Sequence, residues 1–194
     1  MTHSIWGALI GSCWAVFVVY WFIASFFVRP TSRRDSSGVR LVQIVLLAPA
    51  IVLLSNPATR LGFLGRHFVR PTVFTAAVGF LLTACGIGIA IWARYHIGRY
   101  WSSNVTLKTH HKLIQTGPYA AIRHPIYSGL LLAFLGTALA IGEWRGLLAV
   151  VLILISHSWK ARREEELLKS LFGREYEDYR KRTGFIFPRF SSSK

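Results

Sequence analysis

The sequence predicts an all-α, polytopic membrane fold of about five transmembrane helices, the last two forming a helical hairpin, with a cytoplasmic helix towards the carboxyl terminus. Three observations predict it. Of 194 residues, 53% are hydrophobic and only 16% charged. The apolar residues gather in runs near the roughly 20 residues that a helix needs to cross a bilayer. The basic residues behind the net charge of +15 lie between and after those runs. In a soluble protein that charge would suggest nucleic acid; this placement predicts loops facing anionic lipid instead, and no nucleic-acid partner. The two cysteines, Cys13 and Cys85, fall inside apolar runs and suggest neither a disulfide nor a metal site. One integral membrane domain over residues 1–194 is the expectation.

The elements follow in order. Residues 5–28 are apolar and aromatic without a charge, too long for the apolar core of a cleaved signal peptide, and predict the first span. A short basic loop leads to a second span over 39–55, which contains Pro49, tolerated in membrane helices. The third span, 72–93, carries Gly79, Gly86 and Gly88, small residues that let helices approach. A polar segment, 94–124, is too long for a simple turn and has the composition of a functional loop. Residues 125–141 and 144–159 are apolar runs separated by Gly142 and Glu143, which predict a tight hairpin. A charged helical extension and a polar, aromatic tail fill 160–190.

Charge sets the expected orientation. Arg60, Arg66, Arg70 and Arg145 are four of the 23 Lys and Arg residues, and five spans put the other 19 on the opposite side. The positive-inside rule then places the amino terminus outside and the carboxyl terminus in the cytoplasm. Segments 94–124 and 160–190 share that cytoplasmic face.

The stretch from Gly117 to Tyr127 concentrates the polar chemistry. His124 precedes a proline and is biased away from the helical region, whereas Pro125 suits the first helical position. A helix is therefore expected to begin there, with the N–H groups of Ile126, Tyr127 and Ser128 open to an anion. Downstream, Glu164, Glu165 and Glu166 follow the last span. Successive helical residues point about 100° apart, so at least one of the three should face the bundle. An anion-binding helix mouth opposed by a carboxylate suits a zwitterionic sulfonium such as S-adenosyl-L-methionine. Methyl transfer needs in-line positioning rather than a metal, and the chain offers no His/Cys cluster with metal-ligand spacing and no phosphate loop.

At these residues the sequence resembles the isoprenylcysteine carboxyl methyltransferase family and its relatives, the membrane phospholipid methyltransferases. The matching motifs are His111-x-Leu113-Ile114, Gly117-x-Tyr119, Arg123-His124-Pro125-x-Tyr127, Glu164-Glu165-Glu166 and Phe172-Gly173-x-Glu175-Tyr176-x-x-Tyr179. The resemblance covers about the last half of the chain. It implies S-adenosyl-L-methionine held in a cytoplasm-facing pocket, with a lipophilic acceptor entering from the bilayer. It also implies cofactor contacts at His111, Lys112, Leu113, Ile114, Tyr119, His124, Pro125, Ile126, Tyr127, Glu164 and Glu165, with Asn104 at looser spacing. Prenylcysteine methyltransferases carry an arginine for the substrate carboxylate where this chain has Lys160. Lysine keeps the charge but loses the bidentate fork, so Lys160 and Arg162, with Arg163 beside it, are the candidates for that catalytic role.

The reading expected is carboxyl O-methylation of a prenylcysteine-like substrate. N-methylation of a phospholipid amine is the near alternative, and it would need a base such as His110, His111 or a glutamate. A sterol-type reductase using NADPH shares the Arg-His-Pro-x-Tyr pattern, and a non-catalytic membrane protein is the third reading. The compact size and the lack of targeting features suit a prokaryotic inner membrane.

Overall fold

The computed structural model describes residues 2–27, 37–98 and 113–189, with side chains for 5–27, 41–98 and 113–189. Among these the chain is helical: α1 (Thr2–Ser25), α2 (Ser37–Ser55), α3 (Val73–Ile97), α4 (Pro125–Ile141), α5 (Trp144–Phe172) and α6 (Arg174–Arg182). Ile5–Ser25 and Val73–Ile97 are long and apolar enough to cross a membrane by length and composition, while Leu41–Ser55 and Pro125–Ile141 are shorter apolar helices.

The distribution of side-chain size shows which medium the bundle is built for. On α1, Val16, Val18, Val19 and Phe22 are each more than half exposed. Most of the buried residues of α3 and α4 are glycine and alanine, with Thr83 among them. Large apolar groups outside and small ones inside is the arrangement hydrocarbon solvent allows, since lipid leaves packing and hydrogen bonding to hold helices together. A Cβ on Gly79 would lie 2.6 Å from the Gly136 carbonyl oxygen, and one on Gly129 2.6 Å from that of Gly86. These four glycines let the two backbones touch. Gly88, expected to take part, has open space where a Cβ would be. At the same seam Thr83 Oγ1 lies 2.9 Å from Gly79 O and 3.2 Å from Ala133 O. Trp14 donates to Thr137 across 3.1 Å and ties α1 to α4.

The end of the third helix differs from the sequence expectation. The third helix runs past residue 93 to Ile97, and Arg94 is buried instead of opening a polar loop. Its guanidinium donates to Ala24 O at 2.8 Å and Gly98 O at 2.7 Å, carbonyls left open at the ends of α1 and α3. The last span and its charged helical extension are, as the sequence predicts, one continuous helix, α5, whose far end projects beyond the apolar run.

The α4–α5 hairpin turns at Gly142, whose φ of 69° only glycine adopts readily. Glu143, next in sequence, is buried between Arg60 at 2.8 Å and Arg145. Arg145 also donates to Asn56 O at 3.2 Å and to Leu53 O, closing that end of the bundle over the C-terminal end of α2. At the opposite end, residues after α6 lie along the start of α4: Arg123 N donates to Gly184 O at 2.9 Å and His124 N to Phe185 O at 3.2 Å.

Candidate cofactor and acceptor site

The site is made where the start of α4 meets the extension of α5. Pro125 occupies the first turn of α4 with His124 as its non-helical cap, as the sequence predicts. Ser128 departs from expectation, because its N–H is taken by His124 O at 3.0 Å. The helix mouth is also not left open to an external anion on its side-chain side. Arg123 Nε donates to Glu165 Oε1 at 2.6 Å, Tyr127 Oη to Glu164 Oε1 at 2.7 Å, and the His124 ring nitrogens lie 3.6 Å from Glu164 and 3.3 Å from Glu165. The anion-binding and cation-binding halves therefore meet directly. Of the three glutamates, Glu164 and Glu165 face the bundle and Glu166 is exposed.

These contacts tune the charges. Burial opposes charge on His124, but hydrogen bonds and attraction from Glu164 and Glu165 outweigh it and raise its pKa. Burial likewise works against an ionised Glu165, yet His124 and Arg123 hold it down to about 2. Glu164 is lowered as well: burial is outweighed by His124, Lys160 and Tyr127. The cluster holds two carboxylates that stay ionised near neutral pH. Each accepts more hydrogen bonds than one partner can supply.

Arg123 is the brace of the cluster. Beyond Glu165 it donates to Thr183 O at 2.5 Å and Arg180 O at 3.2 Å, and it lies 5.8 Å from the Phe185 ring. It thereby links the acids to the segment after α6. Tyr176 and Tyr179, from the Phe-Gly-x-Glu-Tyr motif, are buried against the same place, and Tyr179 donates to Tyr119 O at 2.7 Å. Sequence reasoning placed these tyrosines in a tail and missed that they pack beneath the site.

The other predicted residues divide. Ile126 is buried in a small apolar cluster with Ala93 and Tyr119, and Ile114 packs on its edge. Tyr119 turns its hydroxyl towards Ala93 O, 3.5 Å away, and its ring stacks on His96. Leu113 is half-buried at the entry to this stretch. Asn104, His111 and Lys112, like His110, lie outside the described residues. Lys160 is brought in: its ammonium is 5.7 Å from the centre of the Tyr127 ring. Arg162 is not; it is exposed, and two residues on a helix turn a side chain about 200° away from Lys160. Arg163 is also exposed, over the Trp159 ring.

Beside Tyr127 opens a cavity of about 220 Å³, walled by Phe17, Trp21, Leu47 and Leu130 and reached by His157 and Lys160. It touches all four of α1, α2, α4 and α5. Sequence reasoning did not single out His157. The signal was present: His157, Lys160 and Glu164 follow spacings of three and four, one face of α5.

A family model described as phospholipid methyltransferase matches residues 74–175. The chain is 34% identical over 119 residues to the protein-S-isoprenylcysteine O-methyltransferase of Schizosaccharomyces pombe, covering 60% of this chain and 50% of that one. It is 34% identical over 109 residues to a probable protein-S-isoprenylcysteine O-methyltransferase of Oryza sativa subsp. indica, covering 55% and 57%. The chain thus spans about half the length of the curated relatives it matches. A solved eukaryotic intramembrane Ras methyltransferase, isoprenylcysteine carboxyl methyltransferase, superposes with a TM-score of 0.51 at 22% identity, over 84% of this chain and 56% of that one. That likeness shows the fold, an intramembrane helical bundle.

Proposed function

The chain belongs to the phospholipid methyltransferase family, and from that premise we propose that it methylates a lipophilic acceptor drawn from the bilayer, using S-adenosyl-L-methionine. Residues 1–194 act as one domain in this reading. The observation that carries it is the pair of ionised acids, Glu164 and Glu165, held at the mouth of α4 beside an apolar cavity. When bound, S-adenosyl-L-methionine supplies an electrophilic methyl group on a sulfonium sulfur.

The residues present fit that group. Glu164 and Glu165 offer spare lone pairs to its cationic side, and the Ile126 N–H in the opening turn of α4 offers a donor to its carboxylate. Tyr127 divides this polar side from the cavity and gives each side one face or edge of its ring. Lys160 is placed to hold an acceptor carboxylate near the cavity mouth. A carboxylate is already ionised near neutral pH, so its methylation asks these residues for orientation and water exclusion rather than proton removal.

The acceptor proposed is a prenylcysteine-like carboxylate, giving a methyl ester. The curated relatives carry that activity in their names, and Lys160 gives this site a cation where such an acceptor needs one. A phospholipid amine is the second reading, favoured by the family description and by the acids that would attract an ammonium head. The distribution of basic residues supports a carboxyl terminus on the cytoplasmic side of the membrane.

The test is methyl transfer by the full chain in lipid nanodiscs, with N-acetyl-S-farnesylcysteine and phosphatidylethanolamine offered separately. Base-labile methyl incorporation into the first supports the reading. Base-stable incorporation into the second alone replaces it with N-methylation. Transfer to neither, with NADPH-dependent reduction of a sterol instead, overturns it.

A further inference from the structure

His157 is the residue that the account so far leaves without a task. Its side chain is 91% buried, being 9% exposed, and its Nε2 has no hydrogen-bond partner among the described residues. A buried polar atom left in this state costs about 1–3 kcal/mol, so native structures seldom keep one without a reason. The ring lies 5.0 Å from the Tyr127 ring, edge to face, and it reaches the cavity that Lys160 also reaches. Lys160 Nζ is 5.7 Å from the centre of the same Tyr127 ring. The two side chains, three residues apart on one face of α5, therefore converge on one end of the cavity.

We propose that His157 and Lys160 together form the acceptor's carboxylate-binding pair, the imidazole N–H supplying a second donor fixed in direction, in place of the rigid fork that an ammonium does not have. The proposal rests on the carboxylate acceptor proposed above. A guanidinium grips a carboxylate with two parallel N–H donors; an ammonium is a point charge without that fork. A neutral imidazole one turn earlier restores the second donor and adds no charge. Apart from Gln43 and Ser156, the remaining wall is apolar: Phe17, Trp21, Leu47 and Leu130 bound a space for a hydrocarbon tail. The occupant that matches the lining beside Lys160 is an anionic head on an apolar tail.

The experiment measures binding, not turnover, to the full chain in nanodiscs. N-acetyl-S-farnesylcysteine and its methyl ester are titrated onto the wild type, His157→Phe and His157→Gln, and S-adenosylhomocysteine onto all three. Loss of a hydrogen bond to a charged group predicts about tenfold weaker binding of the acid to His157→Phe. Binding of the ester should change less than about twofold, and His157→Gln, which keeps a donor, should bind the acid within about threefold of wild type. Equal loss of acid and ester, or no loss in His157→Phe, overturns the pair while leaving the carboxylate acceptor standing. Loss of S-adenosylhomocysteine binding in both variants makes His157 a packing residue and also overturns it. A wild type that binds the ester and a phospholipid amine but not the acid removes the pair and the carboxylate reading together.

Discussion

The α4–α5 hairpin carries an ion cluster near each end, and the two are built differently. At the turn, one carboxylate, Glu143, sits between two arginines, and Arg145 spends its remaining donors on backbone carbonyls of the α2 end. That cluster is closed on itself. At the other end, two carboxylates share Arg123, His124 and Tyr127, and beside them lies a cavity reached by a lysine and a histidine. The difference teaches how to tell a lock from a site in a membrane bundle. Both contain buried charge, but only the second lies beside a cavity, where its spare acceptor capacity can meet a ligand.

The comparison breaks first, and most heavily, at the lock. Arg145→Ala leaves Glu143 buried with one exposed partner, and loss of one member of a buried pair costs about 3–5 kcal/mol. A large fall in thermal midpoint is expected, with cofactor affinity unchanged in the protein that remains folded; calorimetry on the same sample reads both. Glu165→Gln should do the reverse. Replacing a charged acceptor is expected to weaken S-adenosylhomocysteine by about tenfold to a hundredfold, with a smaller stability loss because Arg123 keeps its bonds to Thr183 and Arg180.

The site end should also carry the steeper pH dependence. His124 has a raised pKa when folded, so its contribution is complete below its ordinary value of 6.5 and is lost as pH rises through the raised value. Glu165, lowered to about 2, contributes above its ordinary value of 4.5 and loses this as pH falls towards 2. Thermal stability should therefore be highest between 4.5 and 6.5. His124→Asn should flatten the alkaline limb and leave the acid limb; an unchanged alkaline limb would detach His124 from it. The smallest effect is expected at Arg162→Ala. An exposed residue on the far side of α5 should change stability by less than about 0.5 kcal/mol and acceptor turnover by less than about twofold.

The two ends were also unequally legible in the sequence. The start of α4 is legible because proline after a non-helical residue is a local signal, and helical rotation requires at least one of the three acids to face the bundle. The lock could not be read: Arg60 and Glu143 are 83 residues apart, and nothing near either names the other. Arg94 was read as the beginning of a polar loop because an arginine after an apolar run usually reaches water; its partner, the Ala24 carbonyl, is 70 residues away. The helix mouth was expected to stand open because Arg123 and Tyr127 were weighed as donors to a ligand. Their pairing with Glu165 and Glu164 depends on how α5 projects past α4, which is tertiary. His157 stands in an apolar run with nothing local to distinguish it from a core histidine; the cavity that gives it a neighbour is tertiary.

Calorimetric titration of S-adenosylhomocysteine onto the detergent-solubilised full chain, wild type and Glu164→Gln, with a nicotinamide dinucleotide phosphate titrated in parallel, bears on the central claim most directly. The account predicts saturable binding of S-adenosylhomocysteine to the wild type, its loss in a Glu164→Gln protein that melts near the wild-type temperature, and no dinucleotide binding. Wild-type affinity retained in Glu164→Gln, or saturation by the dinucleotide alone, would contradict it.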